Sequence, residues 1–267
     1  MDIRTYRFPV GDGPFAVDIR NAAGSVTVEV LHDTPEYVVE VEPLDSTAEQ
    51  LTDRVDAFVT DSRLRVQTPE RRLLRTPAFA VRVTVPPSTA ARVAVASADT
   101  ELRGPLGRVD LTSASGAAAV EHCEELQLRT ASGDARIGRV SGSATLGSAS
   151  ADLHVESVGG TLDARTASGD VLVGRTMRDI SIATASGDVG IDRMAAGSVR
   201  VKTVSGDVSV AVIPGQRVWL DLSSVSGRMD SQLPGDDDGG DAGPAQLSLI
   251  LRSVSGDLRI RRVAPAA

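Results

Sequence analysis

The stretch Thr166-Ala167-Ser168-Gly169-Asp170 recurs eighteen residues further on as Thr184-Ala185-Ser186-Gly187-Asp188. Complete and degenerate copies of this unit continue on both sides. The central serines of the copies are Ser97, Ser115, Ser132, Ser150, Ser168, Ser186, Ser205, Ser226 and Ser255. Most steps between them are 17 to 19 residues long, and the last two lengthen to 21 and 29. Such a repeat indicates a solenoid in which each copy forms one coil.

Apolar residues alternate with polar ones on both sides of the repeated unit. Valine takes alternate positions in Ser198-Val199-Arg200-Val201-Lys202-Thr203 and again in Asp207-Val208-Ser209-Val210-Ala211-Val212. A period of two is the signature of a β-strand, so each repeat reads as strand, bend, strand, bend. The sequence therefore predicts an all-β fold. It is a β-solenoid resembling a single-stranded β-helix, with about 18 residues per coil, preceded by a β-rich N-terminal region with one short helix.

Each corner of the predicted coil carries Ser-Gly-Asp. Glycine at positions 116, 133, 169, 187, 206, 227 and 256 is expected to adopt positive φ, and Ser and Asp are expected to bond nearby backbone groups. The structural corner residues are Ser132, Gly133, Asp134, Ser168, Gly169, Asp170, Ser186, Gly187, Asp188, Ser205, Gly206, Asp207, Ser255, Gly256 and Asp257. The two longer steps at the end of the series are attributed to loop insertions.

The first 90 residues differ from the rest because they hold nearly all of the aromatic side chains. Their alternating segments predict strands, and residues 58–66 predict a hairpin. Ser46-Thr47-Ala48-Glu49 has capping-box spacing, so a short helix is expected to start there. We place an N-terminal β-rich region or cap at residues 1–90 and the solenoid repeat region at 91–267. The two parts can also form one continuous domain.

Composition excludes several classes of function. The net charge of −8 and the pI of about 5.0 disfavour binding to nucleic acid. The sequence shows no secretory signal, membrane anchor or apolar run of membrane-spanning length, which predicts a cytoplasmic protein without membrane insertion. The single cysteine, Cys123, cannot form an internal disulfide.

Few residues suggest chemistry. His122 and Cys123 are adjacent, but neighbouring residues of a strand face opposite sides, so no catalytic pair and no nucleophilic thiol are expected. His32 and His154 lack ligand partners at zinc spacing. No catalytic residue, cofactor or metal site is predicted.

Two acidic features leave weaker alternatives open. The aspartates that follow the corner glycines form a column of like charges that arginine, backbone donors or a cation must offset. The only metal candidates in the acidic loop are weak ones: Asp236, Asp237, Asp238 and Asp241. Some β-helix enzymes use acidic clusters to cleave polysaccharides, so a carbohydrate-binding or carbohydrate-cleaving role stays an alternative.

The repeated Thr-Ala/Val-Ser-Gly-Asp-Val element, with valine alternating around it, resembles the bacterial putative-adhesin family of β-strand-repeat proteins. This is a domain-of-unknown-function family, and the resemblance extends over roughly residues 10–260. It implies a β-strand-repeat architecture and, by analogy with the family name, adhesion.

These observations favour a non-enzymatic scaffold or a protein-interaction, adhesin-like module. A protein partner is expected, with the chain itself monomeric or homodimeric. A self-assembling structural protein is the first alternative, because the ends of a solenoid expose strand edges unless they are capped. The three arginines near the end of the last repeat, Arg259, Arg261 and Arg262, are expected to discourage stacking there.

Overall fold

The computed structural model describes residues 3–11, 15–32, 34–70, 76–233 and 245–263. The chain divides into two compact units, Met1–Ser141 and Gly142–Ala267. Both units are built almost entirely of strands, and the predicted β-solenoid is confirmed. No helix in the described ranges is long and apolar enough to cross a membrane. The domain boundary near residue 90 stays a prediction, although parallel pairing joins strands from both sides of it.

The described residues of the first unit form eleven strands and one short helix. They are β1 (Arg4–Pro9), β2 (Ala16–Asn21), β3 (Ala23–Val30), β4 (Glu36–Pro43), α1 (Ser46–Leu51), a 3-10 turn (Thr52–Arg54), β5 (Asp56–Thr60), β6 (Arg63–Gln67), β7 (Ala78–Val85), β8 (Ala90–Val95), β9 (Asp99–Ser113), β10 (Ala118–Thr130) and β11 (Ala135–Val140).

Parallel strands of the first unit form two rows. One row runs β7, β3, β9, β10, β11, and the other runs β6, β2, β8, β9, β10. β9 and β10 belong to both rows because each is long enough to cover one side of a coil and then the next. Alternate side chains such as Val26, Val28 and Leu102 fill the space between the rows.

Coil order in the first unit departs from chain order. β2 and β3 lie between the coil of β6 and β7 and the coil of β8 and β9. Residues 16–30 are therefore inserted between two coils that follow them in the sequence. β2 and β3 meet at Ala22, which forms the corner of this inserted coil, and Asn21 donates its side-chain amide to the carbonyl oxygen of Phe79, 2.9 Å away.

Antiparallel strands close the outer coil of the first unit. β4 pairs with β7, β1 pairs with β4, and β5 pairs with β6. β5 and β6 form the predicted hairpin, whose turn residues Asp61 and Ser62 both have positive φ. Buried Tyr37 and Phe79 lie on the paired strands β4 and β7, so the outer coil does not leave its core open to water.

The predicted short helix is present, but its cap lies one residue earlier than the capping-box spacing suggested. The Asp45 carboxylate accepts a hydrogen bond from the Ala48 backbone N–H at 2.7 Å. It also accepts one from the Ala78 N–H at 3.0 Å, at the start of β7. Asp45 therefore both caps α1 and attaches it to the sheet.

Twelve strands lie in the described part of the second unit. They are β12 (Ala144–Ser148), β13 (Leu153–Val158), β14 (Leu162–Thr166), β15 (Val171–Thr176), β16 (Ile180–Thr184), β17 (Val189–Met194), β18 (Gly197–Lys202), β19 (Val208–Val212), β20 (Val218–Ser226), β21 (Met229–Ser231), β22 (Leu247–Ser255) and β23 (Leu258–Arg262).

Each coil of the second unit contributes one strand to each of two parallel rows. One row runs β12, β14, β16, β18, β22, β20, and the other runs β13, β15, β17, β19, β23, β21. Equivalent apolar residues stack in register, as in the column Leu162, Ile180, Val199, Leu249, Leu220. The first four are at most 2% exposed, so each coil shields the apolar face of its neighbour.

The last repeat in the sequence is not the last coil in space. β22 pairs with β18 on one side and with β20 on the other, and β23 lies between β19 and β21 in the same way. The long final step is therefore not a loop insertion alone. After β19 the chain first forms the outermost coil, β20 and β21, and then adds β22 and β23 between that coil and the coil of β18 and β19. The arginines at the end of the last repeat do not protect the end of the solenoid, since that end is formed by β20 and β21.

Candidate functional site

Corner aspartates of the second unit form a ladder of hydrogen bonds. The Asp152 carboxylate accepts from the Asp170 backbone N–H at 2.9 Å, and Asp170 accepts from Asp188 at 2.8 Å. Asp188 accepts from Asp207 at 2.8 Å, and Asp207 accepts from Asp257 at 2.9 Å. Every rung joins one coil to the next, so the carboxylates serve the fold.

Backbone donors offset the stacked negative charges, and Arg259 adds to this at two of the aspartates. Arg259 lies 3.5 Å from the Asp207 carboxylate and 3.0 Å from that of Asp257. The Arg228 backbone N–H donates to Asp257 and, with Arg259 nearby, lowers the pKa of that carboxyl. Two arginines that precede corners pair elsewhere, Arg165 with Asp163 and Arg252 with Asp221.

The ladder predicts a difference between two substitutions of Asp188. Asp188→Ala leaves the Asp207 N–H without its acceptor and is expected to lower the free energy of unfolding by about 1 kcal/mol. Asp188→Asn keeps an oxygen acceptor and removes a like charge from the column, so it is expected to be at least as stable as the wild type. Urea denaturation followed by circular dichroism measures both. Equal destabilisation by the two variants would contradict the ladder.

The prediction that the corner glycines adopt positive φ is wrong. Positive φ occurs at Gly24, Gly104, Gly197 and Gly215, and none of these belongs to a Ser-Gly-Asp corner. The corners need glycine for close approach of stacked coils. A Cβ on Gly169 would lie 1.8 Å from the Ala151 carbonyl oxygen.

The same close approach repeats at the other corners. A Cβ would fall within 2.3 Å of a backbone carbonyl oxygen at Gly133, Gly187, Gly206, Gly227 and Gly256. No atom larger than hydrogen fits between these coils. The central serine contributes through its backbone, since the Ser186 N–H donates to the Ala167 carbonyl at 2.9 Å and the Ser205 N–H to that of Ala185 at 2.8 Å. The corner residues are thus occupied in holding coils together.

Cys123 and His122 face opposite sides of β10. Cys123 is fully buried, and burial raises the pKa of its thiol to about 12. The His122 Nε2 lies 3.0 Å from the Ser141 Oγ on the exposed side. The two side chains therefore do not meet as a nucleophile and its base.

Burial of Cys123 predicts an unreactive thiol. In the folded protein, a thiol reagent such as Ellman's reagent is expected to label Cys123 at least ~100-fold more slowly than in denaturant, because the thiolate is scarce and inaccessible. The absorbance of the released chromophore follows the reaction. Rapid labelling without denaturant would show that β10 opens locally or that the thiol is accessible.

Acidic and imidazole side chains do not assemble into a metal centre in the part of the chain that the structure describes. His32 and His154 join no such group. The weak metal candidates Asp236, Asp237, Asp238 and Asp241 lie outside the described residues.

One surface groove of the first unit carries three carboxylates, those of Asp18, Glu70 and Asp110. It has a volume of about 570 Å³, and its lining includes Asp18, Arg20, Arg92 and Asp110. Arg92 lies 3.7 Å from Asp110, and Arg20 lies 4.0 Å from Asp18. Two of the three carboxylates are engaged in charge pairing, and no aromatic ring lines the groove to stack against a sugar. The geometry does not favour the carbohydrate alternative.

The outermost coil of the second unit, formed by β20 and β21, is paired on one side only. Its inward side chains Val218, Leu220 and Leu222 are partly exposed, whereas their neighbours on β22 are buried. Met229, in register with buried Leu258, is 53% exposed. No described strand or helix covers this coil, in contrast with the outer coil of the first unit.

Exposed apolar side chains extend this uncovered coil. Outward-facing Trp219 on β20 is 51% exposed. At the corner, the position before the central serine is alanine in earlier coils and valine in the last three, where Val204, Val254 and Val225 are 55%, 50% and 82% exposed. We call β20, β21, Trp219 and these three valines the terminal surface.

The terminal surface was missed in the sequence, although two signals mark it. The chain has a single tryptophan, Trp219, and it lies on an outward position of a strand. The corner alanines change to valine only in the last three copies. Neither signal alone identifies the outermost coil, because the coil order at this end is not the chain order.

These features define a parallel β-solenoid repeat protein whose corner residues are structural and whose terminal coil is uncovered. The chain belongs to the Toastrack DUF4097 family, which matches residues 78–261. The resemblance to a bacterial putative-adhesin family of unknown function, inferred from the repeated unit, is confirmed. No curated protein sequence is similar to the chain.

Several solved structures are similar over the whole length. A "putative adhesin" from Bacteroides fragilis is 13% identical, with 98% of this chain and 97% of that chain covered and a TM-score of 0.49. A "putative lipid binding protein" from Parabacteroides distasonis is 11% identical, with 98% and 97% covered and a TM-score of 0.42. A "putative adhesin" from Parabacteroides merdae is 12% identical, with 98% and 96% covered and a TM-score of 0.38.

Proposed function

We propose that this protein is a non-enzymatic interaction module, adhesin-like in the broad sense that it binds a protein partner through the terminal surface. The observation that carries the proposal is the uncovered coil of β20 and β21, whose inward apolar side chains are exposed where every other coil of the second unit hides them. Exposed apolar side chains of this kind are typical of a protein-binding site.

The chemistry of the terminal surface favours a protein as the ligand. The free edge of β20 offers backbone donors and acceptors in a row, which match the backbone of another strand. Trp219 and the three valines add apolar area beside that edge, and tryptophan is enriched among residues that dominate binding energy. The net charge of −8 does not suit a polyanionic ligand.

Capture from a lysate of the source cells tests this proposal. The wild type is compared with a Trp219→Lys/Val225→Lys double variant, which places two charges on the terminal surface. A Thr145→Lys/Ser181→Lys double variant adds the same charge at exposed positions of inner strands. We expect the wild type and the control to retain the same proteins, endogenous copies of this chain included, and the first variant to lose them. Identical capture by all three, or capture by none, would contradict the proposal.

A further inference from the structure

We propose that the partner at the terminal surface is a second copy of this chain, bound through antiparallel pairing of the two β20 strands about a two-fold axis at Leu222. This inference rests on the proposed function and specifies its partner. It describes a closed pair of molecules, because the same edge is used by both copies and none is left for a third.

Hydrogen-bonding groups along β20 point alternately to β22 and to the free edge. The Arg217 carbonyl accepts from the Leu247 N–H at 3.2 Å, so the odd-numbered residues that follow also point towards β22. The N–H and C=O groups of Val218, Leu220, Leu222 and Ser224 therefore point to the free edge. An antiparallel strand can bond all of these groups.

The free edge of β20 lacks the devices that keep strand edges apart. Natural edge strands carry lysine, proline, a bulge or an inward charge. β20 has the sequence Val-Trp-Leu-Asp-Leu-Ser-Ser-Val-Ser, with one charge and neither lysine nor proline. Its pairing with β22 proceeds without a register shift over Val218–Ser224. The edge is thus extended, regular and suited to pairing.

Charge and length select the register. Centring the pair on Leu222 aligns the whole of β20 with its copy, since Val218 then lies opposite Ser226. Trp219 of each copy faces Val225 of the other, so two of the most exposed apolar side chains bury each other. Centring on Asp221 instead would bring two carboxylates face to face.

A second copy fits the surface better than the chain's own residues 234–244. That segment consists of four aspartates, four glycines, two prolines and one alanine, so it carries little apolar surface to cover Leu220, Leu222 or Met229. A second terminal surface supplies the same leucines, tryptophan and valines in matching number.

Engineered disulfides test the register in the full-length protein. In the proposed pair, residue 222 lies opposite its own copy at a Cα separation of about 5.5 Å, within the range of a disulfide. Leu222→Cys is therefore expected to form a covalent dimer on mild oxidation. Leu220→Cys is the matched control, because residue 220 lies opposite residue 224 and its own copy is ~13 Å away. Buried Cys123 does not compete for the new thiol.

Sedimentation equilibrium on the purified protein tests the association itself. We expect a species of twice the 27.8 kDa chain mass. Trp219→Lys is expected to raise the dimer dissociation constant about 30-fold or more, while Ser181→Lys on β16 leaves it unchanged. Circular dichroism establishes that each variant is folded.

The outcomes separate this inference from the proposed function. A purified wild type that stays monomeric at every concentration overturns the inference, and if lysate capture still depends on Trp219 and Val225, the proposed function survives with a different partner. Cross-linking of Leu220→Cys in preference to Leu222→Cys overturns the proposed pairing. A dimer that persists in the Trp219→Lys variant also overturns the proposed pairing.

Discussion

Leu249→Ala is expected to lower the free energy of unfolding by about 3 kcal/mol, although Leu249 lies only eighteen residues from the end of the chain. Leu249 is fully buried, because β22 lies between β18 and β20. Truncation to alanine removes buried methylene groups and leaves a cavity that coils on both sides prevent from collapsing.

Leu220→Ala is the matched control for this prediction. Leu220 is the register partner of Leu249, faces the same interior and belongs to the outermost coil. Because it is already partly exposed in the single chain, its truncation is expected to lower the free energy of unfolding of the monomer, at protein concentrations below the dimer dissociation constant, by less than about 1 kcal/mol. Chemical denaturation of both variants gives the comparison. If coils stacked in chain order, the ranking would be reversed, with Leu220→Ala the more damaging of the two.

Gly169→Ala is expected to lower the free energy of unfolding by about 3 kcal/mol or to prevent folding of the second unit. The added Cβ would lie 1.8 Å from the Ala151 carbonyl oxygen, and the atoms around it are backbone, which cannot turn aside as a side chain can. The coils on the two sides of this corner would have to separate, and the rungs of the aspartate ladder next to it would lengthen.

Gly190→Ala provides the control for the corner glycine. Gly190 lies on β17 in the same unit, and the only atom that its Cβ would crowd is Cδ2 of Leu172, the end of an exposed flexible side chain. The change is expected to alter stability by less than about 1 kcal/mol. Thermal unfolding of the two variants distinguishes steric crowding at the corner from an effect on the unfolded chain. If alanine acted only by reducing the conformational freedom of the unfolded chain, both variants would be more stable than the wild type.

The repeat spacing was sufficient to predict the coil. Strand alternation placed residues such as Val199 and Val201 in the interior, where both are fully buried. The conformation of the corner was not predictable from glycine alone, because positive φ and close approach both require the absence of a Cβ. Only the position of the neighbouring carbonyl separates the two explanations.

Coil order was beyond the sequence for a physical reason. Every coil presents the same alternation of valine, leucine and isoleucine to its neighbours. Either β20 or β22 could therefore pair with β18 equally well on the basis of its sequence. The local pattern predicts that each strand packs between two similar strands, but it does not predict which two strands these are. The terminal surface inherits this ambiguity, because it is defined by which coil lies outermost.

Insertion of late residues between earlier ones has a consequence for synthesis on the ribosome. Residues 218–231 leave the exit tunnel before residues 247–262, yet β20 and β21 have no neighbour until those later residues arrive. In the first unit, residues 16–30 are made before the strands that flank them on both sides. Translation thus completes the coil of β22 and β23 last in the second unit. A nascent chain that stops before residue 247 would expose the edges of β18 and β19, which β22 and β23 cover in the finished molecule.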